Sequence, residues 1–337
     1  MQKFTQEHLD NYYKKIFSKN LNHDENLNHD EDLNVNFNSV LTLNEQSEND
    51  LLRRMRLNEF FNLINIIKAT NPTGETIGLK LPIASTTDTD KKGREPNASH
   101  LQPTKQYHCK QINVDGYIPY SKLDALAGTI DKDFALIYEE LLDNEIISSL
   151  LLAGFNGRKR AETSDPTANP LAQDAAEGWI GKIANHAKAQ VITGATVGAD
   201  RQYKSINALI KAGLEKIPNP IKARGDLIAI CGRDVLLDSR IEIKYSDLTQ
   251  NQAEKITVLN QLLGGLRAVN IPYFPANSIL ITRFDNISFY LQRGTVRTFK
   301  TENPSLDRLE LYNSMCVDFI IEDYQSCALI ENINIEE

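Results

Sequence analysis

The chain has 337 residues, 41% of them hydrophobic, which is enough for a substantial core in one elaborated domain or two modest ones. Its formal net charge of −8 excludes a general nucleic-acid binder, because such proteins neutralise phosphates with clustered Lys and Arg. No apolar run approaches the roughly 20 residues needed to cross a bilayer, and Glu7, His8 and Asp10 stand where a secretory leader carries its apolar core, so the expectation is a protein made in a cytoplasm with no membrane partner.

Residues 1–45 differ from the rest. Leu9, Tyr12, Tyr13, Ile16 and Phe17 share one face of a predicted helix, suited to a partner helix, since the mixed charge of Glu7, Asp10, Lys14 and Lys15 gives no basic membrane face. A tandem repeat follows, Leu21-Asn22-His23-Asp24-Glu25-Asn26 and then Leu27-Asn28-His29-Asp30-Glu31-Asp32, too polar to offset the entropy of ordering, which reads as a linker.

From Ser47 the charges run from Glu48 and Asp50 to Arg53, Arg54 and Arg56, the order a helix dipole favours. Leu63 to Ile67 then reads as a strand, with a break at Asn71-Pro72-Thr73-Gly74. Thr76 to Leu81 and Tyr107 to Ile118 read as two strands joined by about 25 polar residues. Connections beyond about 15 residues are uncommon in compact domains and are usually functional, so an arm reaching onto a neighbour is expected.

A helix is predicted from Asp131 to Ala153, with Phe134, Ile137, Tyr138, Leu141, Leu142, Ile146 and Leu150 on one stripe and Gly154 as its stop. A second helix is expected to begin near Pro170 and to carry Trp179. Residues 205–282 mix helical stretches (Ile206 to Leu214, Val235 to Ser239) with a strand at Leu227 to Cys231. Beyond them Ile287 to Gln292, Thr295 to Phe299 and Cys316 to Glu322 read as antiparallel strands, and Cys327 to Ile335 as a last one.

Candidates for chemistry are few. The sequence contains no P-loop, GxSxG or HExxH. Gly264-Gly265 reads as a tight turn, as does Arg224-Gly225-Asp226. His108 and Cys109 are adjacent, so on a strand they point to opposite faces and do not form a nucleophile and base. His23 and His29 lack the loop geometry of a cation site, and Arg158-Lys159-Arg160 is read as a solvated or intersubunit loop. Cys109, Cys231, Cys316 and Cys327 are dispersed, without CxxC spacing, and are expected to be free buried thiols. No catalytic residue, cofactor or metal is expected.

Five segments carry a resemblance: Ile83-Ala84-Ser85-Thr86-Thr87-Asp88-Thr89, Ala153-Gly154-Phe155-Asn156-Gly157, Arg160-Ala161-Glu162-Thr163-Ser164-Asp165, Pro272-Tyr273-Phe274-Pro275-Ala276, and Glu302-Asn303-Pro304 with Leu306-Asp307-Arg308. In this order, over roughly Asn44 to Ile335, the chain resembles the major capsid proteins of P-two-like temperate contractile-tailed phages. The resemblance implies an α+β fold of the Hong Kong 97 type, with a removable segment at 1–35, an N-arm at 36–75 and an extended E-loop at 76–118. It further implies a P-domain at 119–204 and 283–337, built on a long spine helix, and an A-domain at 205–282.

It also implies an icosahedral shell of hexamers and pentamers built with a separate scaffolding protein, a maturation protease, a portal protein and packaged double-stranded DNA bound without sequence specificity. The expected place is the virion, after assembly in the bacterial cytoplasm. Thr86, Thr87, Asp88, Lys91 and Arg94 are the expected intersubunit residues of the E-loop. Processing is expected between Asp24 and Asn36, with Glu31 inside that stretch. Two other readings are a nanocompartment shell on the same fold and a soluble two-domain enzyme.

Overall fold

The computed structural model describes residues 41–42, 45–78, 86–95, 106–128, 134–236 and 256–336. The amphipathic segment at 9–17, the acidic repeat and the processing residues Asp24, Glu31 and Asn36 lie outside the described residues.

Two mixed sheets organise the chain. The first contains β1 (Leu41–Thr42), β2 (Asn65–Ala69), β5 (Lys110–Pro119), β12 (Ile287–Gln292), β13 (Arg297–Asn303) and β14 (Arg308–Ile321). Strand β14 is the shared member. Its first part lies antiparallel to both β13 and β5, and its last part lies antiparallel to β12, which pairs in parallel with β2. The second sheet runs β6 (Val191–Thr193), β15 (Ala328–Glu331), β11 (Ile279–Thr282), β8 (Ile228–Cys231), β10 (Leu266–Asn270) and β9 (Thr257–Leu263). Its strands therefore come from 191–193 and 328–331 as well as from 205–282. Two small ribbons complete the pairing: β3 (Thr73–Glu75) with β4 (Gln106–His108), and β7 (Thr196–Val197) with β16 (Asn334–Ile335).

Helices cover the first sheet. They are α1 (Glu45–Met55), α2 (Glu59–Leu63), α3 (Tyr120–Ala127), α4 (Phe134–Asn156) and α5 (Trp179–His186). At 1.5 Å per residue α4 is about 34 Å long. The alternation in β14 sends Met315, Val317, Phe319 and Ile321 into one core with Phe289 and Leu291 of β12, Phe60 and Phe61 of α2, Ile147, Leu150 and Leu151 of α4, and Trp179. Trp179 is fully buried, its ring crossing Phe319 at a centroid distance of 4.9 Å, and its indole N–H donates to the carbonyl of Ser288 at 2.9 Å. A buried aromatic of this size contributes roughly 4–6 kcal/mol of transfer free energy before entropy is counted. A second core lies under α6 (Ile206–Glu215), where Ile206, Leu209 and Ile210 pack on Ala229, Cys231, Ile279 and Ile281.

Several boundaries differ from expectation. Leu63 ends α2 and Ile64 caps it, so the following strand starts at Asn65; Asn58 caps the start by accepting from the amides of Phe60 and Phe61. The first strand of the long connection is Thr73–Glu75, overlapping the segment Asn71 to Gly74 read as a break, while Thr76 to Gly78 are outside any strand. Gly154 does not stop α4, which runs on to Asn156; its missing side chain makes room for the indole of Trp179. The second helix starts at Trp179 instead of near Pro170, where Asp165 and Asp174 organise turns. A short helical turn spans Arg233–Leu236, and 237–239 lie outside the described residues.

Candidate intersubunit site

The long connection leaves and re-enters the body side by side. Thr73, Gly74 and Glu75 of β3 pair antiparallel with His108, Tyr107 and Gln106 of β4. Between these legs, residues 86–95 form an exposed turn. The amides of Lys91 and Lys92 donate to the carbonyl of Asp88 at 3.2 and 3.0 Å, and the Lys91 ammonium meets the Asp88 carboxylate at 2.9 Å. Lys92 pairs with Glu95 at 3.0 Å. Such exposed pairs add little stability. Thr86, Thr87, Asp88, Lys91 and Arg94 are all exposed, and the turn offers a polar, charged surface.

The roots of both legs rest on polar side chains buried in the first sheet. Tyr290 and Asp318 are register partners in β12 and β14, and Glu322 follows directly after β14. Asp318 accepts from the amide of His108 at 2.8 Å and is held by the Lys182 ammonium of α5 at 2.6 Å. Glu322 accepts from the amide of Gly78 at 2.8 Å and from the Tyr290 hydroxyl at 3.0 Å, and that hydroxyl accepts in turn from the amide of Ile77 at 3.1 Å. Burial, then the Glu322 carboxylate, push the Tyr290 phenol up. The ring of Tyr107 stacks on Tyr290, and a Cβ on Gly74 would fall 2.6 Å from the Tyr107 hydroxyl oxygen. Sequence reading missed all three anchors, Tyr290, Asp318 and Glu322. The available signal was Asp318 interrupting the apolar run Val317 to Ile321.

Among the described residues, the remaining candidates do not gather into a reactive site. Cys109 is buried and His108 exposed, so they part company as their adjacency on extended chain requires. Burial first, then the Asp318 and Cys316 charges, push the Cys109 thiol up to about 12, against the opposing effect of Lys182. Gly264 and Gly265, with φ of 59° and 86°, form the turn between β9 and β10, and Gly225 turns at φ 73° between Arg224 and Asp226, which pair at 3.0 Å. Arg158 pairs with Glu331 at 2.9 Å. A groove of about 580 Å³ between β5 and α4 is lined by Asp115, Tyr117, Asn144, Glu145, Ser148 and Ser149. Desolvation raises both of its carboxyls, offset by the Asn313 amide at Asp115 and by Lys122 at Glu145.

Chemically this arrangement anchors and presents an exposed polar loop on a structural subunit of α+β architecture. A family model described as "Phage major capsid protein, P2 family" matches residues 15–333. The chain is 37% identical over 295 residues to the capsid proteins of Escherichia phage P2, covering 82% of each sequence. It is 30% identical over 291 residues to the major capsid protein of Serratia phage KSP20, covering 81% of this chain and 83% of that one. Among solved structures, a chain of the satellite phage P4 procapsid including size determination (Sid) protein superposes with a TM-score of 0.73 at 32% identity, over 100% of this chain and 99% of that one.

The chain belongs to the P2 family of phage major capsid proteins. Its fold is of the Hong Kong 97 type, it forms an icosahedral procapsid, and its place is the capsid of the virion. Proteins of this family are structural and not enzymes, which overturns the enzyme alternative. The nanocompartment reading has less support, since both of these relatives are phage proteins.

Proposed function

We propose that this subunit builds its procapsid from hexamers and pentamers around a separate scaffolding protein, in the bacterial cytoplasm, and that a phage protease trims it between Asp24 and Asn36. A portal protein and double-stranded DNA held without sequence-specific contacts complete the partner set. In this reading 36–75 is the N-arm, 76–118 the E-loop, 119–204 and 283–337 the P-domain, and 205–282 the A-domain. Multiplicity supplies the strength, because many modest contacts add across closed symmetry.

The observation that carries the intersubunit reading is the turn at 86–95: every residue in it is exposed, while the roots of its two legs are fixed on buried carboxylates. The net charge of −8 supports DNA enclosure without tight binding, since an acidic surface repels phosphates. The test is electron microscopy and intact-mass analysis of the chain co-expressed with scaffold and protease, beside a variant lacking Thr86 to Arg94. Closed shells of N-terminally shortened full chain, and a folded deletion variant that makes none, are the expected result. Normal shells from the deletion would overturn the E-loop reading, and a full-length product in closed shells would overturn the trimming.

A further inference from the structure

The two legs of the loop are held very unequally. The returning leg runs through β4 into β5, whose ten residues from Lys110 to Pro119 all pair with β14, and Cys109 donates from its amide to Pro72 at 2.8 Å. Among the described residues the outgoing leg has no such ladder. After the three residues of β3, the amides of Ile77 and Gly78 anchor it on Tyr290 and Glu322. Side-chain burial does not substitute for them, because Ile77 is 57% exposed.

The clasp is built to set a direction. Glu322 is 2% exposed and Tyr290 1% exposed, and a carboxylate at such depth is tolerable only when donors satisfy it. Both contacts are to main-chain N–H groups, so they fix where the backbone goes whatever side chains it carries. Gly78 sits at φ 70°, in the left-handed region that side-chain-bearing residues avoid, so the chain turns at the point where it is held.

We infer that Tyr290 and Glu322 are positioning residues for shell assembly, whose clasp on the Ile77 and Gly78 amides fixes the direction in which the loop leaves the subunit. This rests on reading 76–118 as the intersubunit arm. With the clasp open, the outgoing leg pivots about the firmly paired returning leg. The exposed turn then no longer arrives where a second copy of the chain can receive it.

The test uses the full chain with its assembly partners. Tyr290→Phe deletes the hydroxyl and keeps the ring that stacks on Tyr107. Hydrogen exchange at Ile77 and Gly78 is expected to quicken at least tenfold with the β5 amides unchanged, the melting temperature to hold within a few degrees, and the yield of closed shells of normal diameter to fall at least tenfold. Glu322→Gln keeps the shape and replaces a charged acceptor with a weaker neutral one, so exchange at Gly78 rises several-fold and shell yield falls in step. Normal yield and diameter from either folded variant with quickened exchange overturn the inference, and so does exchange unchanged from wild type. The deletion of Thr86 to Arg94, run alongside, separates the two ideas. If the deletion assembles normally the arm reading fails; if only the clasp variants assemble normally, the positioning role alone fails.

Discussion

The indole of Trp179 lies against the backbone of Gly154, so close that a Cβ at Gly154 would fall 2.3 Å from Cζ3 of the ring. Two effects oppose each other at this position. Helix propensity favours Ala over Gly by up to about 1 kcal/mol, whereas overpacking a rigid buried ring costs about 1–3 kcal/mol and sometimes more. Trp179 is pinned by its bond to Ser288 and by Phe60, Phe155 and Phe319, so it has no room to retreat. Packing should therefore win. Gly154→Ala is expected to lower stability in urea denaturation; a rise in the denaturation midpoint would show that the ring yields.

Lys182 and Asp318 form a buried pair, with 12% and 8% of their side chains exposed. Removing one member of such a pair leaves the other charge uncompensated, at about 3–5 kcal/mol. Lys182→Met should cost that much while preserving apolar volume, and should also quicken exchange of the His108 amide, which depends on the same carboxylate. A double-mutant cycle with Asp318→Asn measures the coupling, and a coupling near zero would place the cost elsewhere.

The groove carboxyls of Asp115 and Glu145 have folded-state pKa values raised by desolvation. The sign follows from linkage. A raised carboxyl favours the protonated folded state, so its stabilising contribution is present below the ordinary carboxylate range and is lost as pH rises through the raised values. At neutral pH both charges therefore work against folding, though only weakly, because both side chains are exposed and solvent screens them. Asp115→Asn with Glu145→Gln should raise the melting temperature at pH 7, and the gain should vanish on acidification below that range. A gain that persists in acid would point to a cause other than ionisation.

Cys109 and Cys231 are both held as thiols, each pushed up to about 12, chiefly by burial. The thiolate is the reactive form. Neither should react with an aromatic disulfide reagent at pH 8 until the chain unfolds, and peptide mapping of the labelled protein checks this residue by residue. Rapid labelling of Cys109 in the folded subunit would mean that its strand opens.

Much of the architecture was legible in local pattern. Period-two alternation in Val317, Phe319 and Ile321 marked β14, and Ile206 to Leu214 marked α6, because burial on one face writes itself into sequence at the element's own period. The motif segments carried the family. Boundaries were less legible where a residue serves a distant partner instead of its own element. Gly154 reads locally as a stop and is in fact clearance for Trp179, and Thr73 and Gly74 read as part of a break until β4 supplies the partner strand.

The sequence by itself determined the class of fold and the family, since these depend on periodicity, composition and motifs carried along the chain. Only the tertiary structure decided that Tyr290, Asp318 and Glu322 converge on the loop's roots. Asp318 and Glu322 lie more than 200 residues from the His108 and Gly78 amides they receive, and the Tyr290 hydroxyl that takes the Ile77 amide is equally distant. Their role is to accept from main-chain N–H groups, which every residue but proline offers alike, so no side-chain pattern announces it.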